Sequence, residues 1–326
     1  MNMLNQQTDK YPPRLVQSFI TGFDRVANHI ELALFPIGLD LLLWLGPHFR
    51  TQQWLQQLRD QVNALTDISA LANNEAVLTS QEFWQMVIER FNLLTLLRSY
   101  PVGIPSLMAG RNPVESPLGT PLFLEIPSLP LIIGLWLLLN LVGLVSGSLF
   151  YLLVTQAVLT KEIRWRQALK DWPWASGQVI GLTIGLFILF FALSFPASCV
   201  LSVATLAGVG QCLIAFGSVL FLWLLFPLFL SAHGIFVNHD PLVTSIRKSV
   251  RLSRVAAFPV SMMFMLIILL TQGLDLLWNV TNENSWLSLF GILGHAFVTT
   301  GLLAGTFHFY QEANQWIQNM MAQKTA

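Results

Sequence analysis

The feature that most constrains the fold is a scarcity of charge. Residues 177–237 contain no Lys, Arg, Asp or Glu over 61 positions. The whole chain of 326 residues is 54% hydrophobic and only 10% charged, whereas a soluble protein carries about 25% charged residues. Most of the chain therefore has lipid as its solvent, and the long apolar runs predict an all-α integral membrane protein.

The lengths of these runs predict the number of membrane crossings. A crossing helix needs about 17–25 mostly apolar residues, so 177–237 is long enough for two crossings and a turn. The first predicted span is the weakest, because Pro36 and Asp40 interrupt it. The six predicted spans lie near 28–46, 131–154, 177–195, 211–235, 256–278 and 287–309.

Basic residues predict the orientation. Two short segments, 161–170 and 247–254, hold eight of the 17 Lys and Arg residues. Cytoplasmic loops are enriched in Lys and Arg, so both segments are predicted to be cytoplasmic, with an even number of spans between them. Both termini are then cytoplasmic as well. No cleavable signal peptide is evident, so the first apolar run is expected to remain as an anchor, in a multi-pass protein of a prokaryotic plasma membrane.

The second basic segment belongs to a predicted amphipathic helix. We expect Asp240 to cap its start, ahead of Pro241, and we expect its apolar side to carry Leu242, Ile246 and Val250. Basic side chains near a membrane surface attract anionic phospholipid head groups. The candidate lipid contacts are Arg164, Arg166, Lys170, Arg247, Lys248, Arg251 and Arg254.

The region between the first two spans is predicted to form an extracytoplasmic cap. Helical spacing of apolar residues predicts helices over 51–65 and 80–98, and prolines between 101 and 130 predict extended chain there. The predicted organisation is a cytoplasmic segment with the first span in 1–46, the cap in 47–128, a five-span bundle in 129–312 with basic linkers at 160–175 and 238–255, and a cytoplasmic tail in 313–326.

Glycine spacing predicts how the helices pack. Glycines four residues apart share one helix face and let a second helix approach closely, either within the bundle or between two copies of the chain. The glycines in this GxxxG pattern are Gly143, Gly147, Gly177, Gly181, Gly185, Gly301 and Gly305. Cys199 and Cys212 lie at the outer ends of the third and fourth spans, and the sequence leaves open whether they form a disulfide or remain separate thiols.

Three acidic residues are candidates for a transport site. Asp40 and Asp275 each follow Gly-Leu and precede a tryptophan, and an ionised aspartate inside a membrane costs at least about 2.5–3.5 kcal/mol. With Glu31 at the inner start of the first span, they could form a proton or cation site. The alternatives are interfacial aspartates without chemistry and an intramembrane hydrolase pair. No spacing of Cys or His predicts a metal site, and no motif predicts a cofactor.

The stretch from Pro241 to Arg254, which leads through Phe258-Pro259 into a span, resembles uncharacterised bacterial membrane proteins and the membrane domain attached to some glycerophosphodiester phosphodiesterases. The resemblance covers spans four to six. It does not include the catalytic barrel of those enzymes, so their activity cannot be carried over to this chain. We expect a non-catalytic scaffold or accessory protein. A small transporter is the alternative, and an intramembrane hydrolase is a more distant one.

The expected partners follow from the same features. They are the lipid bilayer and a second copy of the chain or another membrane protein. A net charge of zero gives no reason to expect nucleic-acid binding.

Overall fold

The computed structural model describes residues 14–65, 75–206, 217, 219 and 225–325. Within these ranges the chain forms eleven α-helices and one two-stranded sheet. The helices are α1 (Leu15–Asn28), α2 (Leu34–Leu45), α3 (Gln52–Leu65), α4 (Glu75–Arg90), α5 (Met108–Arg111), α6 (Leu129–Thr160), α7 (Trp165–Leu206), α8 (Ser231–Asn238), α9 (Leu242–Val255), α10 (Ala257–Trp278) and α11 (Ser288–Thr325). The strands β1 (His48–Arg50) and β2 (Phe123–Glu125) pair in parallel.

Four of these helices, α6, α7, α10 and α11, are long and apolar enough to cross a membrane. A fifth crossing results if α1 and the chain over Ile30–Leu45 count as one bent span. The prediction of a helical membrane protein is therefore confirmed. About half of the predicted fourth crossing, near 211–235, lies outside the described residues, and so does Cys212, while the side chain of Cys199 is likewise not described.

The first predicted span is not a straight helix. Helix α1 ends at Asn28, and the axis turns by 91° before Ile30. His29 adopts a non-helical backbone conformation at the turn, and its imidazole lies 3.2 Å from Glu31 Oε1 and 3.2 Å from Lys161 O. The polar residues at this position therefore hold a corner between two helices, where the sequence had indicated the start of one.

Helix α11 is the central helix of the bundle. In its most apolar 18-residue window 56% of the residues are buried, against 11–17% for α6, α7 and α10. Glycines produce its closest contact, because a Cβ at Gly22 of α1 would lie 2.7 Å from Gly301 O and would overlap Gly305 N. Phe23 and Phe19 cover the same two glycines of α11.

The glycine pair of α6 faces irregular chain, where the sequence predicted another helix. A Cβ at Gly143 would lie 2.5 Å from Leu97 O, and one at Gly147 would lie 2.7 Å from the Cα of Gly103. These glycines therefore make room for backbone that enters the bundle beside the middle of α6.

The three glycines of α7 do not bring helix backbones together in the described part of the chain. No described atom lies within 4 Å of a Cβ built at Gly177 or Gly185, and only the Leu242 side chain, at 3.3 Å, approaches one at Gly181. The predicted bundle contact at this motif is therefore not found among the described residues.

Both basic segments lie at one end of the bundle, called here the basic end and defined by the turn at 161–164 and the start of α9. His239 Nε2 lies 3.8 Å from Asp171 Oδ2 in the first turns of α7. The backbone N–H of Leu242 donates to Gln178 Oε1 at 2.8 Å. Helix α10 runs from this end to the opposite one, where the loop 279–287 begins.

Helix α9 buries a different face from the one predicted. Ser245, Ser249 and Ser253 are buried, while Leu242, Ile246 and Val250 are only half-buried. The hydroxyl of Ser249 donates to Pro227 O at 2.5 Å, in a 3-10 turn over Phe226–Leu228, and that of Ser245 donates to Ser231 O at the start of α8. Hydrogen bonding to this turn and to α8 thus determines which face of α9 is buried.

Asp240 does not cap α9, because the N-cap is Pro241 and no side chain bonds the first turn. Both Asp240 carboxylate oxygens instead lie 2.8 Å from Lys248 Nζ. Because Pro241 is the N-cap, Asp240 lies one residue before the position that caps α9. Its carboxylate therefore pairs with Lys248, which lies two turns farther along the chain.

The opposite end, called here the cap end, is defined by the loop 279–287 and the chain that covers it. Glu283 pairs with Arg90 Nη1 at 2.7 Å, and its carboxylate accepts the Val114 N–H at 3.1 Å. Trp44 Nε1 donates to Glu283 O at 2.8 Å. Burial lowers the pKa of Arg111, against the opposing effect of Glu283.

The helices of the predicted cap differ in part from the prediction. Helix α3 matches the predicted 51–65, but α4 ends at Arg90 and does not continue to 98. The Asn92 side chain caps a separate 3-10 turn, Leu93–Leu97, by accepting the Leu94 N–H at 3.1 Å. A local cap therefore redirects the chain toward the bundle.

The glycine contact of α11 gives a stability prediction. Gly22→Ala places a methyl group against the backbone of α11, which cannot move aside cheaply, so we expect a loss of about 1–3 kcal/mol and a lower Tm in detergent micelles. The control is Gly134→Ala, since a Cβ there meets open space and replacing a helical glycine stabilises by about 0.5–1 kcal/mol. An unchanged Tm for Gly22→Ala would contradict the packing.

Candidate functional site

A segment of irregular backbone, 98–105, enters the bundle between the helices and is called here the inserted segment. Val102 within it is completely buried. Non-helical backbone at membrane depth is tolerated only where it is buried in protein or lines an aqueous cavity. The inserted segment meets the glycine face of α6 on one side and a cavity on the other.

The cavity has a volume of about 270 Å³. Ligand pockets typically have volumes of about 300–1000 Å³, so this cavity is slightly smaller than most. It lies beside the middle of α6, α10 and α11 and beside α8. Apolar side chains of Ile104, Ile267, Leu302 and Leu303 form much of its wall. The polar side chains at its surface are Arg98, Ser99, Tyr100, Tyr151, His233, Thr271, Thr299 and Thr306.

The hydrogen bonds of His233 and Thr306 assign the proton on the imidazole. Thr306 Oγ1 donates to Leu303 O at 2.7 Å and lies 2.9 Å from His233 Nε2. A hydroxyl has a single proton, so both contacts are hydrogen bonds only if Nε2 is the donor. In the neutral ring Nδ1 then carries a lone pair, and this buried atom has no partner among the described residues.

Arg98 is the charged residue that lines the cavity. Its Nη1 donates to Ser106 O at 3.0 Å, which fixes the guanidinium at the end of the inserted segment. Its charge interacts with Asp40, Asp275 and His295. Among the described residues that line the cavity none is acidic and Arg98 is the one with a formal charge, while Asp40 and Asp275 lie behind the wall.

Asp40 is a structural carboxylate in this arrangement. It is completely buried, and it accepts hydrogen bonds from Ser106 Oγ at 2.5 Å, Met108 N at 2.9 Å and Leu107 N at 3.2 Å. These three donors belong to the chain that follows the inserted segment. Asp40 therefore anchors that chain to α2 and does not line the cavity.

Asp275 lies near His295 at the cap side of the cavity. Asp275 Oδ1 is 3.9 Å from His295 Nε2, and each residue is one helical turn from a threonine of the cavity wall, Thr271 and Thr299 respectively. Asp275 Oδ1 and His295 Nδ1 have no hydrogen-bond partner within the described ranges. The structure thus brings Asp275 close to the cavity without making it part of the wall.

Glu31 lies elsewhere. Its carboxylate contacts His29 at 3.2 Å, and the same imidazole contacts Lys161 at the basic end. Helix α2 separates this corner from the chain held by Asp40. The structure does not bring the three candidate carboxylates together in one site.

Five of the seven candidate lipid contacts form an exposed basic surface. Arg164 pairs with Glu162 at 3.1 Å, and Lys248 pairs with Asp240, so two of the seven cations already have acidic neighbours. The remaining five are exposed at the basic end: Arg166, Lys170, Arg247, Arg251 and Arg254.

The inserted segment and the cavity were missed by sequence reasoning. The proline-rich stretch was predicted to lie on the outer face of the bundle. A usable signal was present, because the chain from Tyr100 to Gly110 carries no charge and combines Pro101 and Pro105 with apolar residues. Irregular backbone with that composition is suited to burial between helices.

The fold and the cavity define an α-helical membrane protein in which irregular chain lines a mainly apolar cavity, with several polar side chains at its surface, among the helices. No protein-family model matches this chain, and comparison with curated proteins and with solved structures finds no similar protein. The resemblance to the membrane domain of glycerophosphodiester phosphodiesterases therefore stays a prediction.

Asp40→Asn tests the anchoring role. The amide keeps one acceptor oxygen but turns its NH₂ group toward backbone donors, so we expect a loss of about 1–3 kcal/mol and faster hydrogen exchange of the amides of residues 99–108. The matched control is Glu31→Gln, which alters a half-exposed contact at the other end of α2 and should leave that exchange unchanged. Slow exchange in Asp40→Asn would contradict the anchoring role.

Proposed function

We propose that this protein binds, and carries across the membrane, a small amphipathic carboxylate in the cavity beside the inserted segment. The observation that supports this is a cavity at the middle of the bundle, bounded by irregular chain and by α8, a short helix that follows a 3-10 turn. Transporters place substrate sites near mid-membrane, where interrupted helices and free backbone groups meet.

The chemistry of the wall favours this ligand class. Arg98 supplies a guanidinium, of which only Nη1 is used in the hydrogen bond to Ser106 O, and a guanidinium pairs well with a carboxylate. The apolar side chains of Ile267, Leu302 and Leu303 suit a short hydrocarbon group. The proposal differs from a transport site made of carboxylates, because Asp40, Asp275 and Glu31 do not line this cavity.

The proposal assigns no catalytic step to the protein. The expected scaffold role stays a prediction, since it needs a partner. We further propose that Arg166, Lys170, Arg247, Arg251 and Arg254 contact anionic head groups, because all five are exposed at one end of the bundle and attraction to an anionic surface contributes about 1 kcal/mol per basic residue.

The proposed topology has six crossings in a prokaryotic plasma membrane. The basic end is cytoplasmic together with both termini, and the cap end is extracytoplasmic. Two observations support it: the two basic segments lie together, and the loop 279–287 contacts Arg90 and Val114 of the cap region.

Cysteine labelling tests the topology. In a background with Cys199 and Cys212 replaced by serine, a membrane-impermeant maleimide added to intact cells should label Glu82→Cys. Arg251→Cys, which is equally exposed, should be labelled only after permeabilisation. Labelling of Arg251→Cys from outside would overturn the proposed orientation.

Ligand binding tests the function. Isovalerate, L-2-hydroxyisovalerate and L-valine share one carbon skeleton, and isobutylamine lacks the carboxylate. With the purified protein in lipid nanodiscs, at least one carboxylate at millimolar concentration should raise the Tm, since a ligand that binds only the folded state stabilises it by mass action. Isobutylamine should not.

The matched variants for this experiment are Arg98→Gln, which should lose the shift, and Arg166→Gln at an exposed position, which should keep it. The carboxylate that binds should then accumulate in proteoliposomes that contain the wild-type protein. An absent Tm shift for all three carboxylates, or an equal shift in Arg98→Gln, would overturn the proposed function.

A further inference from the structure

The side of the cavity formed by α8, α10 and α11 presents hydrogen-bond acceptors. Thr271 Oγ1 donates its proton to Ile267 O at 2.8 Å, and Thr299 Oγ1 donates to His295 O at 2.7 Å. Thr306 likewise donates to Leu303 O. With their protons directed at their own helices, all three hydroxyls turn lone pairs toward the cavity that they line.

His233 lines the same side, but its free acceptor atom does not open into the cavity. Its Nε2 proton is directed at Thr306 Oγ1, so the lone pair of Nδ1 remains. This imidazole is only 8% exposed, lines the cavity, and has no partner for Nδ1 in the described part of the chain. The Nδ1 atom itself has almost no accessible surface, so a ligand in the cavity does not reach it, and its unpaired lone pair costs the folded protein about 1–3 kcal/mol.

The inserted segment forms another part of the cavity wall and contributes a cationic donor. Arg98 is the first residue of the inserted segment. None of the described residues that line the cavity with it is acidic, so its charge has no carboxylate partner within the wall. The two sides therefore complement a molecule that has an anionic group at one position and a hydrogen-bond donor at another. The apolar side chains between them suit a small hydrocarbon substituent.

On the basis of the proposed function, we propose that the ligand is a small α-amino or α-hydroxy carboxylate. Its carboxylate pairs with Arg98, and its ammonium or hydroxyl group donates to Thr271 or Thr299. These two threonines line the cavity one helical turn from Asp275 and His295, with which the Arg98 charge interacts. A volume of about 270 Å³ accommodates a molecule with a short apolar side chain. A simple carboxylate would fill the same space and leave the acceptors unpaired.

The three matched ligands separate this inference from the proposed function. Isothermal titration of the wild-type protein in lipid nanodiscs should give a Kd for L-valine or L-2-hydroxyisovalerate at least about tenfold lower than the Kd for isovalerate, because an unpaired buried polar group weakens binding by this order or more. Equal affinity for isovalerate and both of the other ligands would overturn the inference and leave the proposed function standing. Failure of all three to bind would overturn both.

Substitution of one acceptor gives the second test. Thr299→Val keeps the shape of the side chain and removes its lone pairs, so it should reduce the preference for the donor-bearing ligand severalfold and leave the Kd of isovalerate unchanged. Thr183→Val is the matched control, because Thr183 donates to Val179 O in the same way but does not line the cavity. A preference that survives in Thr299→Val, or that falls equally in Thr183→Val, would contradict the acceptor role.

Discussion

Three hydrogen bonds to the buried carboxylate of Asp40 hold irregular backbone inside a bundle of helices. Each of those donors would otherwise be buried without a partner, at a cost of about 1–3 kcal/mol. Asp40 lies on α2, and the donors Ser106, Leu107 and Met108 follow the inserted segment. Because the chain is fixed here, the segment that precedes it stays between α6 and the cavity.

Small residues make the rest of this arrangement possible. Gly143 and Gly147 leave room on α6 for the inserted segment, and Gly22 lets α1 meet the backbone of α11. Ser245 and Ser249 of α9 donate to the carbonyls of Ser231 and Pro227. These bonds hold the start of α8, which carries His233 to the cavity wall. Both walls of the cavity depend on side chains that are small enough for close approach.

Local sequence patterns predicted several elements correctly. The apolar runs predicted the helices α6, α7, α10 and α11, and the pattern of 51–65 predicted α3, because burial in lipid and helical spacing are local properties. The pattern failed at α4, which ends before Asn92, and on α9, where three serines are buried in place of Leu242, Ile246 and Val250. In both places a hydrogen bond determined the outcome, and hydrophobic periodicity does not record hydrogen bonds.

The candidate site shows the same division. Asp40 was recognised as an aspartate that must face protein, yet its partners lie more than sixty positions away in the chain, and no spacing rule connects them. The sequence by itself determined that lipid surrounds most of this protein, because so little charge is distributed along long apolar runs. Only the tertiary structure decided where the polar residues meet. Contacts between distant segments bring Arg98 and His233 to the wall of one cavity, and such contacts depend on packing geometry that local composition does not specify.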